Sequence, residues 1–185
     1  MSRESKETAA EVWSLTLATY AGEGVAAACI GLQDRHRVGV SALLALMGLA
    51  AVGYPVRDAH TMDRVLRRAE AWQERVIEPL RGVRRELPDA APAEIDKEAR
   101  DVRRGLLNQE IETERLQQEL VVTDVLHNVT GMAGVSTDVE RVRSAGSVAR
   151  LYLARFVEVW SDVEEAALQC LLDAMAGDRA GPSPH

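Results

Sequence analysis

Residues 41–52, Ser-Ala-Leu-Leu-Ala-Leu-Met-Gly-Leu-Ala-Ala-Val, carry no charge and are apolar on every side of a helix. A surface helix needs a polar face, so this stretch needs cover all round, and the rest of the chain must supply it. A membrane span is the competing reading. The uncharged window, 38–56, comes close to the ~20 residues a span requires, but it contains Gly39, Ser41, Gly48, Gly53 and Pro55. Arg35 and Arg37 precede it and Arg57 follows, so no charge asymmetry orients it. It reads as a buried core helix, with no membrane span.

A chain of 185 residues makes one domain with a real hydrophobic core. Only 4% of it is aromatic, so Ala, Leu and Val must fill that core, which favours helix packing over a sandwich of aromatic and β-branched strands. The formal charge of −7 makes the protein as a whole a poor match to nucleic acid. Cys29 and Cys170 lie among apolar neighbours, as small reduced hydrophobes. The charged start, Met-Ser-Arg-Glu-Ser-Lys-Glu, lacks the apolar segment of a secretory signal, and the expected address is the cytoplasm.

The periodicity predicts helices throughout. The first begins near Ser5 to Thr8, with Thr8 and Glu11 at capping-box spacing, and runs to Tyr20. Gly22 and Gly24 break it; a second helix covers 25–36, with Ala26, Cys29, Ile30 and Leu32 toward the core. Ser41 is the expected N-cap of the central helix. Asp58 or Thr61 caps the next, whose stripe is Met62, Val65, Leu66, Ala69, Trp72, Val76, Leu80, Val83 and Leu87, with a kink near Val76 from Pro79. Residues 87–92 read as a linker. From about 93 to 126 a charged helix carries opposite charges at Asp96/Arg100, Asp101/Arg104 and Glu112/Arg115, and a narrow apolar stripe marks it as an outer one. A glycine-bearing turn over 127–136 leads to a capping box at Thr137 and Glu140. One last long helix then carries a seven-residue seam at Val142, Ala149, Phe156, Val163 and Cys170. The fold class is all-α: a single-domain bundle of about six helices over 1–176, around a buried apolar central helix, with a disordered tail over 177–185.

Candidate chemistry is sparse. Asp124/His127 and His60/Asp63 have the i, i+3 spacing of bundle metal ligands, but no inward Glu residues accompany them, so no metal is assigned. The Arg-rich helix, Arg64 to Arg85, has Glu70, Glu74, Glu78 and Glu86 interleaved and reads as a solvated, salt-bridged face rather than a phosphate-binding one. The block Leu-Gln-Asp-Arg-His at 32–36 leads straight into the buried helix. Its polar side chains either satisfy the turn, with Gln33 and Asp34 bonded to backbone and to an arginine such as Arg81, or line a pocket. The first option is favoured and predicts that Asp34→Ala costs about 1–3 kcal/mol.

Several of these residues resemble a known family. Trp13, Tyr20, Gly24-Val25, the 32–36 block, the apolar helix, and Trp72 followed by Val76, Pro79, Leu80, Arg81 and Arg84 are similar to an uncharacterised family of short helical proteobacterial proteins, one of the domains of unknown function. Such proteins tend to carry Gly after the His and Asn before the central helix, where this chain has Arg37 and Ser41. The resemblance implies the helical fold and supplies no catalytic residues.

The functional expectation is a non-enzymatic helical binding or protein-interaction protein, without a cofactor and with a homodimer as one form of partnership. The alternative is a small-molecule-binding protein or enzyme with a pocket near Trp13, Tyr20, Gln33, Asp34 and His36, to which Trp72 and Arg81 add candidate ligand contacts.

Overall fold

The computed structural model describes residues 2–90, 92, 95–131 and 137–177. Helices make up 83% of it, and no strand occurs among the described residues. In order they are α1 (Arg3–Tyr20), α2 (Val25–His36), α3 (Val40–Ala51), α4 (Ala59–Trp72), a π turn (Gln73–Ile77), α5 (Glu78–Ala90), α6 (Asp96–Asn128), α7 (Asp138–Leu153) and α8 (Asp162–Gly177). With α4, the π turn and α5 taken as one bent rod, seven helices among the described residues form a single-domain bundle.

The centre is α3, whose residues from Ser41 to Ala51 are all buried. It packs against α1, α6 and α7, while α4 and α5 close on α6, and α2 closes on α8. Gly48 explains how near α1 comes: a Cβ there would lie 3.2 Å from Val12 Cγ1. Ser41 is not the cap of α3. That place falls to Gly39, and the Ser41 hydroxyl donates instead to the Glu114 carbonyl of α6.

Other expectations shift for physical reasons. Ser2, not Thr8, caps α1, its hydroxyl accepting from the Ser5 amide. Asp58 caps α4 through the Thr61 amide. Pro79 lacks an N–H, and the rod accommodates it by widening into the π turn just upstream. The extra residue rotates the stripe, so Ile77 rather than Val76 is fully buried and Val83 faces out. The expected linker is partly helix, since α5 runs to Ala90.

Helix α6 is an outer helix only in its first half, where Val102, Leu107 and Ile111 are exposed. From Glu110 onward it belongs to the core through Gln117, Gln118, Val121, Val122 and Val125. Its three expected ion pairs form, Asp96–Arg100 at 2.5 Å, Asp101–Arg104 at 3.4 Å and Glu112–Arg115 at 3.1 Å. The turn expected over 127–136 starts later, because α6 runs to Asn128, and its residues 132–136 lie outside the described residues, as does the 177–185 tail beyond Gly177.

The capping box of Thr137 and Glu140 forms. The long seven-residue seam does not, because the chain leaves the helix after Leu153 and starts again at Asp162. Ser161 and Glu164 end the break: the Ser161 hydroxyl accepts from the Val163 amide, and the Glu164 carboxylate accepts from the Ser161 amide. This is capping-box chemistry, and it leaves Val163 exposed instead of in a seam.

Candidate functional site

Helix α2 presents two faces. Val25, Cys29 and Leu32 point into the bundle, and His36 continues that line toward α8. Ala26 and Ile30, expected in the core, face outward because nothing covers their side of the helix. Two clefts flank this second face, and the first turn of α3 contributes to the floor of both.

The first is a groove of about 510 Å³ between α1, α2, α5 and α6. Trp13, Leu17, Tyr20, Ile30, Leu107 and Ile111 give it an apolar lining. One wall is ionic. Arg81 pairs with Glu114 at 2.5 Å and lies 3.9 Å from Glu110, and Arg84 pairs with Glu110. These arginines were expected on a solvated face, yet the side chains of Arg81 and Glu110 are only 11% and 5% exposed. The Arg-rich face therefore splits: Arg64 and Arg68 bond across to Asn128 and Asp124 near the surface, while Arg81 and Arg84 are drawn in by acids on α6. Burial pushes the Glu114 carboxyl up, against the pull of Arg81. Burial likewise raises the Tyr20 phenol. Beneath them Thr16 donates to Gln118 Oε1, and Gln118 Nε2 donates to the Ser41 carbonyl, both at 3.1 Å, which fixes the floor.

The second is a cavity of about 640 Å³ on the other side of Gln33 and Asp34. It is walled by the α2–α3 turn, the π turn, the start of α5, and the rings of Tyr152 and Phe156. Those rings meet edge to face at 5.2 Å, and the Tyr152 hydroxyl donates to the Gly39 carbonyl at 3.2 Å. Gln117 of α6, fully buried, also lines it.

The candidate ligand residues are thus partly gathered and partly dispersed. Trp13, Tyr20, Gln33, Asp34 and Arg81 all line the groove, and Gln33 and Asp34 line the cavity as well. Asp34 is exposed, with no hydrogen bond or ion pair among the described residues, so the expected structural role in the turn is corrected: a residue on the outward face of α2 has no backbone group to satisfy. His36 lies elsewhere, bonded at 3.0 Å to Glu164 of α8, and Arg35 joins the same carboxylate at 3.3 Å. Trp72 is a tie between helices, its indole N–H donating to the Thr113 carbonyl at 3.0 Å.

No group of three or more His, Cys, Asp or Glu residues among those described is placed to hold a metal ion. Asp63 and Asp124 are engaged by Arg155 and Arg68. The residues that sequence reasoning missed are Gln73, Glu110, Glu114, Gln117 and Gln118. On α6 the signal was present: 110, 114, 117/118, 121 and 125 continue one helical face from acids through amides into valines.

A family model described as "Protein of unknown function (DUF2390)" matches residues 11–121. That stretch includes every residue of the groove, and all of the cavity except Tyr152 and Phe156. No curated protein and no solved structure matches the chain.

Proposed function

The chain belongs to the DUF2390 family, and from that premise we propose that it is a non-enzymatic binding protein whose groove receives an amphipathic helix of a protein partner. The observation that carries this reading is the gathering of exposed apolar side chains. Leu17 and Tyr20 from α1, Ile30 from α2, and Leu107 and Ile111 from α6 are all large, all exposed, and all line one groove. Scattered exposed hydrophobics are ordinary, whereas a patch rimmed by charge marks an interaction surface. A groove between helices accepts apolar side chains repeating at i, i+3/i+4 and i+7. At the rim Asp34 and Arg85 have no ionic partner among the described residues and are available to orient the incoming helix.

The groups best suited to covalent chemistry are committed elsewhere. Burial pushes the Cys29 thiol up to about 12, which keeps it protonated and unreactive, and His36 is bonded to Glu164. Both cysteines are free, which fits the cytoplasm. No single helix among the described residues is long and apolar enough to cross a membrane.

A second copy of this chain is one source of the helix, since Val83 and Val102 add exposed apolar surface on α5 and α6. The test is selection of binders from a random library of helical peptides. The selected sequences should share apolar residues at helical spacing and lose at least about tenfold in affinity for Ile30→Glu and Leu107→Glu variants. Those positions are exposed, so the fold tolerates the change. Selected peptides without helical periodicity, or indifferent to both variants, would contradict the reading. Light scattering of the same variants reports on the homodimer: a concentration-dependent dimer lost in Ile30→Glu assigns the groove to a second copy.

A further inference from the structure

We propose that a second copy of this chain docks on the flank of the α5–α6 hairpin that faces away from the groove, hairpin against hairpin, in a twofold-symmetric four-helix bundle. This surface is not the groove, and it does not rest on the helix-binding reading.

Among the described residues, the hydrogen bonds and ion pairs that tie α6 to α1, α3 and α4 all lie from Thr113 onward, as with Trp72, Ser41, Thr16 and Arg68. Ahead of that point α6 is tied to α5 alone, through Glu110 with Arg84 and Arg81. Those pairs fix how the two helices are turned. Arg85 of α5 and Ile111 of α6 line the groove. At about 100° per residue Val83 falls opposite Arg85, and Val102 falls opposite Ile111. Both valines therefore lie on the flank away from the groove, and they are 54% and 55% exposed. Leu80 and Leu87 stand three and four residues from Val83, and Leu106 stands four from Val102, all half-buried. Two helices cover only the middle of such a seam. Its edges are covered when two more helices complete a bundle.

Two observations select an identical copy as the cover. Arg75 and Glu86 are exposed and have no ionic partner among the described residues. Glu86 is three residues from Val83, and Arg75 is two turns before it, one of them the wider π turn, so both border that flank. They are separated by about 16 Å along the rod, too far to pair within one chain. A copy running antiparallel about an axis near Leu80 to Val83 brings Arg75 of each chain beside Glu86 of the other. One contact is then made twice, as a twofold interface requires. The second observation is Gly105, inside α6 and three residues after Val102. A Cβ there would meet nothing within 4 Å. Glycine weakens a helix interior, and no described neighbour in the chain needs the space. A partner helix packed beside Val102 does.

Analytical ultracentrifugation of the intact chain over a range of concentrations tests the assignment. A dimer should form, and Val83→Glu or Val102→Glu should weaken it at least about tenfold. Both positions are exposed, so these variants fold, which circular dichroism verifies. Arg75→Glu and Glu86→Arg should each weaken self-association several-fold, more at low salt. An equimolar mixture of the two should dimerise at wild-type strength, because each supplies the charge the other lacks. Gly105→Leu, a better helix former, should nonetheless weaken the dimer. Ile30→Glu in the groove should leave it unchanged. A chain monomeric at every concentration overturns the proposal, as does a dimer that survives Val83→Glu and Val102→Glu. So does a mixture no more associated than its components, or a dimer lost in Ile30→Glu, which assigns self-association to the groove.

Discussion

Arg37 follows α2 in a left-handed conformation, φ 56° and ψ 31°, and no other described non-glycine residue has positive φ. Its amide bonds back to the Gln33 carbonyl at 2.8 Å, closing the helix in the geometry that glycine usually supplies. An L side chain there is strained by about 1–2 kcal/mol, and the flexibility glycine adds to the unfolded chain offsets about half of that. Arg37→Gly should therefore stabilise the protein by about 0.5–1 kcal/mol, read as a higher urea midpoint with unchanged slope. A lower midpoint would mean that the Arg37 side chain holds the turn. Three residues earlier, Asp34 is exposed and unpartnered, so Asp34→Ala should change stability by less than about 0.5 kcal/mol. A loss above 1 kcal/mol would restore the structural role that the sequence suggested. The facing of Asp34 was not legible from the chain, because it depends on which side of α2 the other helices leave open.

Between elements, two polar contacts act as clamps. Glu164 at the start of α8 accepts from the Ser161 hydroxyl and from His36, with Arg35 beside it, and these bonds lower its carboxyl from 4.5 to about 2. A depressed carboxyl contributes its full stability above its unfolded value and loses that contribution as pH falls toward the folded one. Wild-type stability should therefore drop more steeply than that of Glu164→Gln between pH 4.5 and about 2, as measured by urea denaturation across that window. Parallel curves would show that the clamp is not coupled to folding. The second clamp joins α5 to α6, where Glu110 serves both Arg84 and Arg81. Glu110→Ala should cost about 1–3 kcal/mol by leaving the largely covered Arg84 guanidinium without its carboxylate, while replacing Arg84 and Glu110 together with Met should restore most of the loss. A double variant as unstable as the single one would contradict that cause. These elements differ in how legible they were. The Pro79 bend followed from the missing N–H, but the one-residue shift that buries Ile77 depends on how the strain is relieved. The break before α8 was hidden by apolar residues that happen to keep a seven-residue spacing across it, although Ser161 and Glu164 carried the capping signal.

Across the whole molecule, the uncharged stretch at 41–52 dictated the architecture because only complete burial accommodates it, and the surrounding helices announced themselves by period. The site was less legible for a related reason. A groove is defined by what the helices leave uncovered, and Ile30, Leu107 and Ile111 look the same in sequence as residues destined for the core. In the proposed function this uncovered surface, rather than any reactive group, is the working part of the protein. Amide chemical-shift mapping with a selected helical peptide tests it most directly. Perturbations should concentrate on α1, α2 and the 107–118 stretch of α6, with Glu74 and Phe156 undisturbed; perturbations centred on α7 and α8, or spread evenly over the surface, would contradict a helix-binding groove.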